Sequence, residues 1–205
     1  MNKIVSCILI GGKSSRIGGG IKSLKILNNK TILYKIIYRI KKQTNIIAIN
    51  SNVKSKKLIQ YNLPIFKDIY KGYQGPLAGI HASLFWTKKN FPSKKWVITI
   101  PGDSPFFPDD LIEKLYNKAK KENVKAVIAK SNNRIHSVFG LWHTSLESNL
   151  YYSIKNNVRK IDQWAKLHSF ATVNFKNKNY DPFFNINYIE DLSKASKIDN
   201  QFFIK

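Results

Sequence analysis

The residues best suited to chemistry in this 205-residue chain lie in a glycine-rich segment near its start. Residues 9–22 read L-I-G-G-K-S-S-R-I-G-G-G-I-K and contain half of the chain's ten glycines. Glycine lets phosphate oxygens approach backbone N–H groups closely, and Lys13, Arg16 and Lys22 add positive charge at fixed offsets. Because a triphosphate carries about four negative charges, this segment predicts a site that wraps the phosphates of a nucleotide.

Two common phosphate-binding patterns are excluded. Residues 12–14 have the G-K-S ending of a P-loop, but Cys7 stands where that pattern requires its first glycine. The dinucleotide-binding fingerprint fails as well, since Ser23 occupies its third glycine position and Asn50 follows the second predicted strand in place of an acid. The segment is therefore a phosphate-binding loop of another kind.

Two carboxylates follow predicted strands on this strongly basic chain. Asp103 comes just after an apolar run at 96–100, and Asp68 follows a shorter one at 64–66. Ligands of open α/β sheets collect outside the carboxyl ends of strands, so we predict that Asp103 binds Mg²⁺ and that Asp68 contacts the base or assists the metal. A turn or helix-capping role for Asp103 and an ion pair with a lysine for Asp68 are the alternatives. We assign Asp109 and Asp110 to the start of a helix.

Alternating apolar runs and helical patterns place these residues in an α/β fold, with helices packed on the faces of a sheet. We predict a single domain over residues 1–205. The predicted strands are 4–10, 46–49, 64–66, 96–100, 124–129, 137–142 and 170–175. The predicted helices are 31–43, 76–88, 108–122, 146–155, 158–167 and one after 187.

Composition narrows the function classes. The formal net charge of +23 suggests nucleic acid, but only four of the 35 basic residues are arginine and the lysines are spread along the chain, so we expect no specific nucleic-acid partner. The single cysteine, Cys7, lies in an apolar run and predicts a buried thiol. That run is too short to span a membrane, and we expect a cytoplasmic protein without a membrane partner.

Motifs along most of the chain carry a family resemblance. The 9–22 segment resembles the signature of nucleotidyltransferases that move a nucleoside monophosphate onto a phosphorylated acceptor. Together with G-P-L-A-G at 75–79, P-G-D-S-P-F at 101–106, R-I-H-S-V-F-G-L-W at 134–142 and D-P-F-F-N-I-N at 181–187, it resembles molybdenum cofactor guanylyltransferases. This resemblance covers residues 4 to about 192.

The resemblance implies a three-layer Rossmann-like nucleotidyltransferase fold with a mostly parallel, mixed sheet flanked by helices. It implies transfer of GMP from GTP to the terminal phosphate of molybdopterin with Mg²⁺ and release of pyrophosphate, and it allows transient contact with molybdoenzymes or their chaperones. The implied GTP-binding residues are Leu9, Ile10, Gly11, Gly12, Lys13, Lys22, Asn50, Asp68 and Asp103. Lys22, Arg16 and Asp103 are the expected catalytic residues, with Asp103 on the metal, and His136, Asn185 and Asn187 lie on the molybdopterin side. A structural role for His136 and a helix-capping role for Asn187 are the alternatives.

Three positions depart from the family pattern. Ile21 replaces an acid before Lys22, Ser137 replaces a proline after His136, and Tyr188-Ile189 replaces Thr-Pro after Asn187. We expect Asn187 and Glu190 to form a capping box that starts the last helix. Two alternative functions remain open: a related nucleotidyltransferase using CTP or a sugar phosphate acceptor, and a noncatalytic nucleic-acid binder.

Overall fold

The computed structural model describes residues 3–11, 19–70, 75–166, 169–176 and 179–203, without the side chains of residues 162 and 166. Its strands are β1 (Ile4–Ile10), β2 (Ile26–Leu27), β3 (Lys30–Thr31), β4 (Ile46–Ser51), β5 (Ile65–Phe66), β6 (Trp96–Pro101), β7 (Ala126–Ser131), β8 (Arg134–His143) and β9 (Phe170–Asn174). Its α-helices are α1 (Ile32–Lys41), α2 (Lys56–Ile59), α3 (Pro76–Asn90), α4 (Leu111–Glu122), α5 (Glu147–Lys155), α6 (Ile161–Lys166) and α7 (Ile189–Phe202).

Seven strands form one mixed sheet in the order β5-β4-β1-β6-β8-β7-β9. Strands β5, β4, β1 and β6 run parallel, β7 and β9 pair in parallel, and β8 is antiparallel to both of its neighbours. The predicted α/β class with a mostly parallel, mixed sheet is confirmed. Because parallel strands end at the same edge, β1, β4, β5 and β6 deliver the residues that follow them to one rim.

Helices cover both faces of the sheet, which makes three layers. Successive β1 side chains point to opposite faces, so Ile8 packs with α1, α4 and α7, whereas Cys7 packs with α3, α5 and α6. The strand is buried almost throughout, as its continuous apolar run predicts for a central parallel strand. Of the helices in the described ranges, none has the length and apolar character needed to cross a membrane.

The predicted elements all occur, with shifted ends, and two short elements were missed. One is α2; the other is the β2–β3 hairpin, which turns at Asn28 and Asn29 with φ of 47° and 65°. The helix predicted from residue 108 begins at Leu111. Asp110 is the N-cap residue and pairs with Lys114 on the helix, and Asp109, directly before it, has its Oδ1 2.9 Å from Arg39 Nη2.

The position of Cys7 in β1 gives a testable consequence. The thiol is fully buried, and burial raises its pKa to about 12, with the neighbouring Ser83 and Thr87 hydroxyls opposing the shift. The folded protein should therefore react with a thiol-specific chromogenic disulfide at pH 8 roughly 10³-fold more slowly than the unfolded chain, because so little thiolate is present. Rapid stoichiometric reaction of the folded protein would place Cys7 outside the core.

Candidate active site

A cleft of about 760 Å³ opens at the carboxyl ends of β1, β4 and β6. This volume is typical of a small-molecule site. Its walls include residues that the sequence places in GTP binding: Leu9, Ile10, Gly11, Lys22, Asn50, Asp68 and Asp103. Fold topology thus brings together side chains that are up to 94 residues apart in sequence, from Leu9 to Asp103.

Both ends of the glycine-rich loop border this cleft. Gly11 follows β1, and Gly19 and Gly20 return to the cleft with φ of 72° and 77°, values that favour glycine over other residues. The predicted contacts of Gly12, Lys13 and Arg16 lie outside the described residues. The described part of the loop thus presents bare backbone on two sides of the cleft.

Asp103 lies at the rim because β6 ends beside β1. The backbone N–H of Gly102 donates to the Leu9 carbonyl oxygen at 2.9 Å, which carries the chain past β1. A Cβ on Gly102 would lie only 3.1 Å from Ile10 Cγ1 and 3.2 Å from the Leu9 oxygen, so the close approach favours glycine. The Asp103 carboxylate is therefore presented directly over the end of β1, next to the start of the glycine-rich loop.

Lys22 connects the two halves of the site. Its Nζ lies 3.0 Å from Asp103 Oδ2 and 2.8 Å from Asn187 Oδ1. Lys22 begins a single 3₁₀ turn (Lys22–Leu24), and its side chain is 23% exposed, against 21% for Asp103. With Ile21 in place of an acid, the ammonium is still held by two acceptors from distant parts of the chain.

A second carboxylate is fixed on the opposite wall. Asn50, at the end of β4, donates from Nδ2 to Asp68 Oδ1 at 2.9 Å. Asn52 donates to Asp68 Oδ2 at 2.8 Å and accepts from the Asp68 backbone N–H at 2.9 Å. Sequence reasoning missed Asn52, although its position two residues after Asn50, beyond the same strand, was an available signal.

The loop of residues 181–187 packs behind Asp103. The Ile186 backbone N–H donates to the Asp103 carbonyl oxygen at 3.0 Å. Ser104 contacts both Asp103 Oδ1, at 3.1 Å, and Asn185 Oδ1, at 2.5 Å. Ser104 was also missed, because its partner Asn185 is 81 residues away in sequence. Asn185 and Asn187 are thus each joined to Asp103 through one intervening side chain.

The predicted capping box of Asn187 with Glu190 is wrong. Helix α7 begins at Ile189, and the capping carboxylate is Asp191, whose Oδ2 accepts from the backbone N–H groups of Asn187 (2.8 Å) and Tyr188 (2.9 Å). Because the N-cap position falls on Tyr188, Asn187 lies one residue too early for its side chain to serve as the cap. Its amide oxygen instead accepts from Lys22.

His136 lies inside β8, which begins three residues earlier than predicted. The side chain is 9% exposed, its Nε2 lies 2.7 Å from Ser131 Oγ, and its ring packs 4.5 Å from that of Phe183. Burial lowers the pKa of His136, and Arg134 lowers it further, against the opposing effect of Asp181. His136, like Asn185 and Asn187, is not among the residues that line the cleft.

The donor set at Asp103 suits a metal that keeps much of its coordination for substrate and water. Among the residues that the structure describes, no three His, Cys, Asp or Glu side chains cluster to form a closed metal site. Mg²⁺ binds in proteins through one or two carboxylates together with substrate phosphates and water. Asp103, one carboxylate at the rim of a cleft large enough for a nucleotide, fits this description.

Gly79, at the start of α3, offers a test of the cleft wall. A Cβ there would lie 2.9 Å from Asn50 Oδ1 and 3.2 Å from Leu9 Cδ1, so Gly79→Ala must displace the Asn50 amide from Asp68. We expect the variant to bind GTP about 10-fold more weakly, the effect of losing one hydrogen bond to a charged group. Its melting temperature should barely fall, since alanine favours the helix. If calorimetry showed the same affinity for GTP in the variant and the wild type, Asn50 would have no role in nucleotide binding.

Glycines facing a cleft at the carboxyl ends of parallel strands, with a lysine and a carboxylate paired at its rim, define an α/β nucleotidyltransferase. The profile of the MobA-like NTP transferase domain matches residues 6–169, and the chain belongs to that family.

The similar proteins agree with this assignment. A molybdenum cofactor guanylyltransferase from Nitrobacter hamburgensis is 36% identical over 192 residues, 93% of this chain and 92% of that protein. The molybdopterin-guanine dinucleotide biosynthesis protein A of Archaeoglobus fulgidus has a similar structure, with a TM-score of 0.77 and 24% identity over 96% of this chain and 99% of that one. A Mycobacterium tuberculosis protein in complex with manganese shares the fold, with a TM-score of 0.65 and 9% identity over 96% and 99% of the two chains. The resemblance stated from the motifs is confirmed.

Proposed function

We propose that this protein transfers GMP from GTP to the terminal phosphate of molybdopterin, forming the guanine dinucleotide cofactor and releasing pyrophosphate. The observation that carries the proposal is the Lys22 ammonium, held between Asp103 and Asn187 at 3.0 and 2.8 Å. Among the residues that the structure describes, only Lys22 bonds both to Asp103, after β6, and to Asn187 of the D-P-F-F-N-I-N motif. The name of the guanylyltransferase from Nitrobacter hamburgensis supports the choice of guanylyl group.

The nucleotide side of the reaction uses two walls of the cleft. The backbone of residues 9–11 and the Gly19–Gly20 turn border the space for the phosphates. Phosphate contacts from Lys13 and Arg16 of the same loop remain predictions from the sequence. Asp68, fixed by Asn50 and Asn52, presents a carboxylate to the nucleoside. A carboxylate held by two amides is pre-organised to accept hydrogen bonds from N–H groups, which guanine offers on its Watson–Crick edge.

The acceptor side of the site is the loop of residues 181–187, named here the acceptor loop. Asn185 and Asn187 lie on it, next to Ser104 and Lys22. An oxygen of the molybdopterin phosphate attacks the α-phosphorus of GTP, a new P–O bond forms, and the bond to the β-phosphate oxygen breaks to release pyrophosphate. The attacking phosphate is already ionised at neutral pH, so no general base is needed, and catalysis rests on positioning and charge.

Asp103 would hold the proposed metal, Mg²⁺, which would supply positive charge to stabilise the charge developing on the phosphate oxygens. Lys22 supplies a second positive charge, from a side chain that is only partly exposed and therefore less screened than a surface lysine. The cytoplasmic location and transient delivery of the product to molybdoenzymes or their chaperones remain predictions.

Thermal unfolding with nucleotides tests the choice of substrate. A ligand that binds the folded state raises the melting temperature, so GTP with Mg²⁺ should produce a clearly larger shift than CTP at equal concentration. An equal or larger shift with CTP would favour a cytidylyltransferase. If neither nucleotide changed the melting temperature while an oligonucleotide did so at physiological salt, the protein would be a nucleic-acid binder.

A further inference from the structure

Three polar side chains form a hydrogen-bonded row behind the acceptor loop. Ser131 Oγ, at the end of β7, lies 2.7 Å from His136 Nε2 and 3.2 Å from Asp181 Oδ1. Ser131 is 1% exposed and His136 is 9% exposed. Asp181 is the first residue of the acceptor loop, and none of the three lines the cleft.

The direction of these hydrogen bonds follows from the proton inventory. Ser131 has one hydroxyl proton, and the Asp181 carboxylate can only accept it. His136 is then the donor to Ser131 through Nε2–H, and its lowered pKa is consistent with a neutral ring at neutral pH. His136 therefore donates to Ser131, and Ser131 donates to Asp181, so each hydrogen bond of the row has its own proton.

The row ends on the backbone of the acceptor loop. Asp181 Oδ1 also accepts from the Phe183 backbone N–H at 3.0 Å, which closes the first turn of the loop. The Phe183 ring is buried and packs against the ring of His136, with centroids 4.5 Å apart. His136 thus fixes the beginning of the loop twice, through Ser131 and Asp181 and by direct ring packing.

The same short loop reaches the reaction site. Three residues beyond Phe183, the Ile186 amide bonds to the Asp103 carbonyl oxygen, and Asn187 bonds to Lys22. The loop is therefore held at its start by the buried row and at its end by Asp103 and Lys22. Displacing the start by even 1 Å would move Asn185 and Asn187 relative to the acceptor phosphate.

We propose that His136, Ser131 and Asp181 form a positioning relay that sets the acceptor loop, with His136 acting through its buried partners and not by contact with molybdopterin. This proposal rests on the proposed function, and it assigns Ser131 and Asp181 a role in acceptor binding. Loss of any member should raise the KM for molybdopterin about 10-fold, as loss of a supporting hydrogen-bond partner typically does, and should leave the GTP-induced melting shift unchanged.

Steady-state kinetics of S131A, H136A and the double variant test the relay. Because Ser131 acts through the same row as His136, the double variant should raise the KM about 10-fold, no more than H136A alone, and not ~100-fold. H136Q, whose side-chain amide can still donate toward Ser131, should recover most of the loss. D181A, at a less buried position, removes the acceptor of the row and should give the same rise in KM should H136A fail to fold.

His143 provides a matched control. It lies on the same strand, is half-buried, and bonds through Nδ1 to the hydroxyl of Ser145 at 2.8 Å. It pairs in register with Trp96, the first residue of β6, and so lies at the end of that strand away from Asp103. H143A should leave the KM for molybdopterin unchanged.

Hydrogen exchange on the substrate-free protein separates failure of the relay from failure of the proposed function. S131A and H136A should each speed exchange of the Phe183 and Ile186 amides about 10-fold, with no change in H143A. If S131A changes neither exchange nor acceptor KM while H136A raises the KM, His136 contacts the acceptor directly and the relay is refuted. If exchange responds as expected but the wild-type protein transfers no GMP to molybdopterin, the relay stands and the proposed function fails.

Discussion

Replacing Asp103 by alanine should lower the turnover of GMP transfer at least ~10²-fold, the usual effect of losing one pre-organised electrostatic element. The carboxylate lies over the end of β1, is fixed by its neighbour Ser104, and is paired with Lys22. The variant loses both the proposed metal ligand and the partner that orients the Lys22 ammonium. Turnover at saturating GTP and molybdopterin, measured by release of pyrophosphate, gives the effect directly.

The fold should survive this substitution. Asp103 and Lys22 are each more than a fifth exposed, so their ion pair contributes little to stability, about 1 kcal/mol or less. D110A is a suitable control, because Asp110 lies in the same connection between β6 and α4 and pairs with Lys114 at 2.7 Å on the surface. If D103A kept near-normal turnover, and a higher Mg²⁺ concentration did not change that turnover, Asp103 would not be the metal ligand.

Replacing Lys22 by methionine should reduce turnover by ~10² to 10³-fold. Methionine keeps much of the length of the side chain but removes the charge that lies between Asp103 and Asn187. The loss should appear in turnover as well as in KM, because the charge stabilises negative oxygens that develop during the transfer. Pre-steady-state measurement of GMP transfer separates the chemical step from product release.

Lys30 serves as the control for this variant. It is exposed, lies over the ring of Tyr34 at 4.9 Å, and does not line the cleft. K30M removes the same charge from the protein and should retain wild-type turnover. A similar loss in K30M and K22M would mean that the general positive field of the chain, not the position of Lys22, drives the reaction.

The sequence predicts the fold and the cleft well because both depend on strong local signals. The apolar run of β1 and the glycines after it fix one wall, and the topology of parallel strands then requires Asp103 and Asp68 to meet at the same rim. The position of Asn50 at this rim follows from the same strand topology, since Asn50 is the penultimate residue of β4.

What the sequence did not predict depends on contacts between distant residues. Ser104 carries no signal of its own, and its partner Asn185 becomes apparent only when the strands and loops are assembled. Asn52 had a positional signal beyond β4, but its bond to Asp68 is likewise seen only in the assembled fold. The N-cap of α7 was misassigned because Glu190 and Asp191 both stand near the helix start, and only the backbone direction selects Asp191. His136 was placed before its strand because the first residues of β8 include the polar Arg134 and His136, so no apolar run marks its start.

The most direct test of the account is a single-turnover reaction of the purified protein with GTP labelled at the α-phosphate, molybdopterin and Mg²⁺. We expect the label to move into a guanine dinucleotide of molybdopterin, with one pyrophosphate released for each transfer, and α-labelled CTP to give no product. Transfer of CMP in place of GMP, or bound GTP whose label stays in the nucleotide when molybdopterin is present, would contradict the proposed function.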